Sequence, residues 1–138
     1  MRPVLRSLPL LLAVALAGCG QPPSSAGDFK GDKKGVADTI EQLQTSAQNR
    51  KPAEICSDVL ARSLVEKLKT TGHDCVDEME KVTGDADDFE LDVTAVTING
   101  ATATARVKAR KGGKDNAVTS YTLAREDGKW RLTDLGSS

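Results

Sequence analysis

The sequence predicts an α+β domain, in which N-terminal helices pack on a curved antiparallel sheet of about four strands. Three observations carry that expectation. Apolar residues step by threes and fours from Val36 to about Met79, then alternate from Asp88 to the end of the chain. Asn99-Gly100 and Asp127-Gly128 each interrupt an alternating run, as two-residue hairpin turns do. Helices followed by a run of hairpins give segregated layers rather than alternating βαβ units.

The chain opens differently. Arg2 and Arg6 flank the start of an apolar run from Leu8 that closes on Leu16-Ala17-Gly18-Cys19. The run is too short to span a bilayer and ends in small residues, the pattern that a signal peptidase cuts. These last four residues resemble the bacterial lipobox letter for letter. The resemblance implies cleavage between Gly18 and Cys19 and a diacylglyceryl group on the Cys19 thiol. Membrane lipid would then hold the chain through Cys19, on the extracytoplasmic side of a cell membrane or envelope. An ordinary secretory signal or an uncut short anchor is the alternative. Gly20 rather than Asp follows the cysteine, which leaves inner and outer membrane both open.

The expected organisation is a signal peptide over 1–18, a flexible tether over 19–34 and a globular domain over 35–138. The tether expectation rests on the small, polar, proline-bearing stretch that begins Gln21-Pro22-Pro23-Ser24-Ser25. Without Arg2 and Arg6 the chain carries 17 basic and 20 acidic residues, a net charge of −3, which argues against nucleic acid as a partner. One Trp, one Tyr and two Phe leave the core to aliphatic residues and alanine. Beyond Cys19 only Cys56 and Cys75 remain, an expected disulfide in an oxidising compartment. Their wide spacing is unlike Cys-x-x-Cys, and one histidine with two thiols makes a poor zinc set, so neither a metal nor a cofactor is expected.

Val36, Ile40, Leu43 and Ala47 mark the buried stripe of a first helix that ends at Asn49, ahead of Lys51-Pro52. Pro52 suits the first turn of a short second helix. Ser57 is the expected cap of a longer one, with Leu60, Leu64, Val65 and Leu68 inward and Gly72 as its stop. Asp74 to about Lys81 reads as a last helix with Val76 and Met79 inward.

Phe89, Leu91 and Val93 then share a face, and a bulge near Thr94-Ala95 returns Val96 and Ile98 to it. With Asn99-Gly100 as the turn, Val93 is expected opposite Ala105, Leu91 opposite Val107 and Phe89 opposite Ala109. The same register sets Asp92 against Arg106, Glu90 against Lys108 and Asp88 against Arg110 on the wet face. Lys111 to Asn116 reads as a longer connection to a third strand, Ala117 to Arg125. Asp127-Gly128 then pairs Leu123 with Leu132, Arg125 with Trp130 and Tyr121 with Asp134, placing Tyr121, Leu123, Trp130 and Leu132 under the helices.

Asn99-Gly-Ala-Thr-Ala-Thr-Ala-Arg-Val107, Arg125-Glu-Asp-Gly-Lys-Trp-Arg-Leu132 and the helix-borne Cys56 and Cys75 resemble lipoproteins and secreted domains of the nuclear-transport-factor-two-like superfamily. That resemblance implies a cone of helices against a bent sheet. Some superfamily members are isomerases or dehydratases with Asp, His or Tyr inside the cone, and others bind ligands or proteins there without chemistry. A short strand common between the superfamily's early helices is not evident in the sequence.

No catalytic set stands out. His73 and Asp74 are adjacent, and neighbours on a helix do not face each other. Asp85, Asp87 and Asp88 lack the order of a calcium loop. Of Arg106, Lys108, Arg110, Lys111 and Lys114, the first three lie opposite acids, and no aromatics are interleaved among the five, the pattern of a solvated face. The leading expectation is a lipid-anchored, non-catalytic domain that binds a small apolar ligand or a protein partner. The other is a small isomerase- or dehydratase-type enzyme using Tyr121, Asp134 or His73 within the cone.

Overall fold

A computed structural model describes residues 25–136 of the chain. The signal segment, Gly18 and Cys19 of the lipobox and the first part of the tether lie outside the described residues. Four helices pack against one face of an antiparallel sheet whose strand order is β1-β2-β3-β4: α1 (Gly31–Gln48), α2 (Pro52–Glu54), α3 (Arg62–Thr70), α4 (Cys75–Thr83), β1 (Phe89–Asn99), β2 (Thr102–Lys111), β3 (Lys114–Glu126) and β4 (Lys129–Leu132). This is the α+β arrangement with a bent sheet that the sequence predicts.

Folded structure begins earlier than expected. Ser25–Asp28 forms a 3-10 turn and α1 starts at Gly31, so residues 25–34 belong to the domain rather than to a tether. Ala26 is buried and its N–H donates to Glu41 Oε1 at 2.9 Å, while the Ser25 hydroxyl accepts from Val93 N–H. Small polar residues here reflect a snug fit against the sheet edge. The stripe on α1 is as expected, with Val36, Ile40 and Ala47 buried and Leu43 packed against the core.

Pro52 does begin α2, which runs into a π turn over Ile55–Val59 closed by Leu60 N–H to Ile55 C=O at 2.9 Å. Ser57 therefore lies inside a turn and does not cap α3. Leu60 adopts an extended conformation and makes a parallel bridge to Leu132, with Ala61 N–H on Leu132 C=O at 2.7 Å. That pairing with the β4 edge interrupts the helical run, and α3 starts only at Arg62. Its first N–H is met from the sheet by the Glu126 carboxylate. Cys56 and Cys75 form a disulfide, Cα–Cα 6.1 Å, joining the π turn to the first residue of α4 across α3. Asp74 caps α4 by accepting from the N–H groups of Val76 and Asp77, and Met79 is buried while Val76 is half-buried.

The β1–β2 register differs from expectation by two residues. Asn99 pairs with Thr102, Val96 with Ala105, Val93 with Val107 and Leu91 with Ala109, with the bulge between Val93 and Ala95. Gly100 holds φ +61° at the first central position of the turn and Ala101 follows it, so the turn is the glycine-first kind rather than the Asn-Gly kind. A two-residue shift preserves which face each side chain takes, so the apolar pairing survives while every charged pair changes. Asp92 stands opposite Lys108 and Glu90 opposite Arg110, and both bases turn to Asp115 instead, at 2.7 and 3.1 Å. The Asp88–Arg110, Asp92–Arg106 and Glu90–Lys108 pairings are therefore corrected.

The connection after β2 is also shorter than expected, because Gly112 and Gly113 make a tight turn at φ +58° and +72° and β3 starts at Lys114. A second bulge sets two β3 residues, 116 and 117, against Ala109. Leu123 pairs with Leu132 and Arg125 with Trp130, as predicted. Tyr121 and Asp134 do not pair, since β4 ends at Leu132. Asp134 instead reaches β3 with its carboxylate, which accepts from Thr122 N–H.

The core lies between α1 and the inward sheet face. Trp130 is buried beneath α1, with the Arg125 guanidinium 4.8 Å over its ring and its carbonyl accepting from the Thr39 hydroxyl. Gly35 makes room for it, because a Cβ there would stand 3.0 Å from Trp130 Cδ1. The Trp130 Nε1 hydrogen is the one buried side-chain polar group without a partner among the described residues.

Candidate functional site

Between α4, α1 and the free ends of β1 and β2 lies a cavity of about 510 Å³. Its floor comes from separate elements: Leu43 and Ala47 of α1, Ile55 of the π turn, Met79 and Thr83 of α4, Ala86 of the following loop, Phe89 of β1 and Tyr121 of β3. All are buried or half-buried. Exposed Lys81, Val82, Asp85, Lys111 and Leu135 form the rim. An apolar chamber of this size with a few polar groups at its edge is the usual form of a small-molecule site.

Local sequence explains the opening. The π turn widens the backbone at Ile55, and the disulfide ties this turn to the start of α4. Thr83, also in the wall, donates its hydroxyl to Glu80 C=O.

Tyr121 is the buried titratable group of the wall. Burial holds its phenol above the ordinary tyrosine value, and the nearby Asp134 carboxylate pushes it the same way. A phenol so held is a hydrogen-bond donor and not a base. Its hydroxyl has no hydrogen-bond partner among the described residues. One Asp134 oxygen is taken by the N–H groups of Thr122 and Gly136.

His73 lies away from this chamber, exposed beyond the end of α3, with Nδ1 3.1 Å from Glu78 Oε1. Lys81 also binds Glu78, at 2.7 Å. The Lys81 and His73 hydrogen bonds hold the Glu78 carboxyl below its usual range, and Glu78 in turn holds Lys81 above the usual lysine range. The structure thus separates His73 from Tyr121 and Asp134. Of the acidic run, Asp85 reaches the rim and Asp87 pairs with Arg50, and no cluster able to hold a metal ion occurs among the described residues.

Sequence reasoning placed Met79 and Phe89 in the core and assigned Lys111 to a solvated face, whereas it lies at the chamber. The signal for Lys111 was present: carrying the alternation Ala103, Ala105, Val107, Ala109 one step further puts a lysine on the apolar face. No family model, curated protein or solved structure matches the chain. Fold and chamber together define an α+β domain with an apolar cavity open at one end of its sheet.

Proposed function

We propose that this chain is a lipid-anchored protein of the cell envelope whose globular domain binds a small apolar ligand without chemistry. The apolar chamber of about 510 Å³ is the observation that carries this reading. Leu16-Ala17-Gly18-Cys19 supports the anchor through Cys19, and the Cys56–Cys75 bridge fits an oxidising compartment. No helix among the described residues is long and apolar enough to cross a membrane. An enzymatic reading draws on Tyr121 alone among the residues expected to converge, and its raised pKa favours donation over proton abstraction.

Native mass spectrometry of the chain isolated from its own envelope tests the binding. A bound apolar adduct that disappears in Ala47→Trp, which fills the chamber, is the expected result. A bare natural chain, or an adduct retained in Ala47→Trp, overturns the reading. Labelling with a fatty-acid analogue tests the tether separately, with Cys19→Ala expected to abolish incorporation.

A further inference from the structure

The β2–β3 hairpin ends in like charges on the core side of the sheet. Along β2 the inward positions run Ala103, Ala105, Val107 and Ala109, and the next is Lys111. Across the ladders Lys111 faces Phe89 on β1 and Lys114 on β3. Two ammonium groups directly opposite each other are unfavourable unless something negative lies near them. Neither has an ion-pair or hydrogen-bond partner among the described residues, whereas Lys108 and Arg110 on the wet face both have Asp115. Lys111 is therefore a cation without an ion-pair partner among the described residues, at the rim of an apolar chamber.

We propose that the chamber takes a single-chain amphiphile, its apolar tail against Ile55, Met79 and Phe89 and its anionic head on the Lys111 ammonium. This rests on the ligand-binding reading above and adds the chemistry of the ligand. Chamber volume suits the tail, and Lys111 with Lys114 beside it suits the head. The Tyr121 hydroxyl offers a further donor along the path. Two other charges stand on the rim. Lys81 is neutralised by Glu78, and Asp85 is an exposed carboxylate without a partner among the described residues. Asp85 opposes an anion, so its removal strengthens an anionic ligand and weakens a zwitterionic one.

Isothermal titration of the full chain with decanoate, decyl phosphate and 1-decanol, each below its aggregation concentration, tests the assignment. Both anions should bind one to one and about tenfold tighter than the alcohol, a difference of about 1.4 kcal/mol. Lys111→Met, an exposed substitution, should erase that preference by weakening both anions about tenfold relative to 1-decanol. Asp85→Asn should raise decanoate affinity. Octanoate should bind roughly 15-fold weaker than decanoate, about fourfold for each methylene removed. Either ranking of decanoate against decyl phosphate supports the proposal and separates a carboxylate from a phosphate head.

Equal affinity for acid and alcohol in the natural chain, or a Lys111→Met loss shared by 1-decanol, overturns the head assignment and leaves the apolar-ligand reading standing. Weaker decanoate binding in Asp85→Asn also overturns it. Binding of none of the three overturns both.

Discussion

Tyr121 sits where the core gives way to the chamber, and its phenol reports both. Burial and then the Asp134 charge disfavour the ionised form in the folded chain. The sign follows from linkage: the folded state prefers the neutral phenol, so this stabilisation is complete below the ordinary value of 10.0 and is lost as pH rises through the folded value. Tyr121 is the chain's one tyrosine, so absorbance titration reads it alone. A midpoint above 10.0 is expected, lowered in Asp134→Asn, and a midpoint at 10.0 would contradict the buried placement. Other residue-scale features differ in how far the sequence reveals them. Arg125 opposite Trp130 is legible, because alternation on either side of Asp127-Gly128 dictates it. The need for glycine at position 35 is not, since it arises from a ring contributed 95 residues later.

At the scale of elements, alternation was a strong guide to faces and a weak one to register. Shifting β2 by two residues against β1 leaves Val93, Leu91 and Val96 inward, so apolar matching alone cannot separate the two registers. The choice falls to which turn position Gly100 takes, and Asn99 remains in the strand. Charge matching misled because acids recur at every second position around the start of β1 and bases at every second position of β2, so they match in either register. Edges are a second feature that periodicity does not show. β1 lies at one side of the sheet, where unpaired backbone groups invite further pairing. Side chains from α1 cover it: Gln48 Nε2 donates to Phe89 C=O at 2.7 Å, and Gln44 Oε1 accepts from Leu91 N–H. Gln44→Ala is expected to cost about 1–2 kcal/mol in chemical denaturation and to speed exchange of the Leu91 amide about tenfold or more. Unchanged Leu91 exchange would show that the edge is held by other means.

For the molecule as a whole, stability and opening depend on the same bridge. The Cys56–Cys75 disulfide links residues 19 apart in sequence and ties the π turn to α4, both of which contribute to the chamber wall. Closing a loop of this size stabilises by about 3 kcal/mol on the chain-entropy account. Cys56→Ser with Cys75→Ser should therefore lower the thermal midpoint by roughly 12–24 °C, and a shift of only a few degrees would contradict that role. The bridge was legible from cysteine arithmetic, because the lipobox expectation assigns Cys19 to lipid and leaves Cys56 and Cys75 with one way to join. The chamber was not, since it appears only where four elements fail to meet.

Methionine methyl resonances test that chamber most directly. The chain has two methionines, Met1 and Met79, and Met79 is buried in the chamber floor. In a ¹³C-methyl-methionine spectrum, 1-decanol added to the natural chain should shift the Met79 signal in a saturable way, and the shift should vanish in Ala47→Trp. A Met79 signal that stays in place while the alcohol binds elsewhere, or that moves equally in the filled variant, would contradict the central claim.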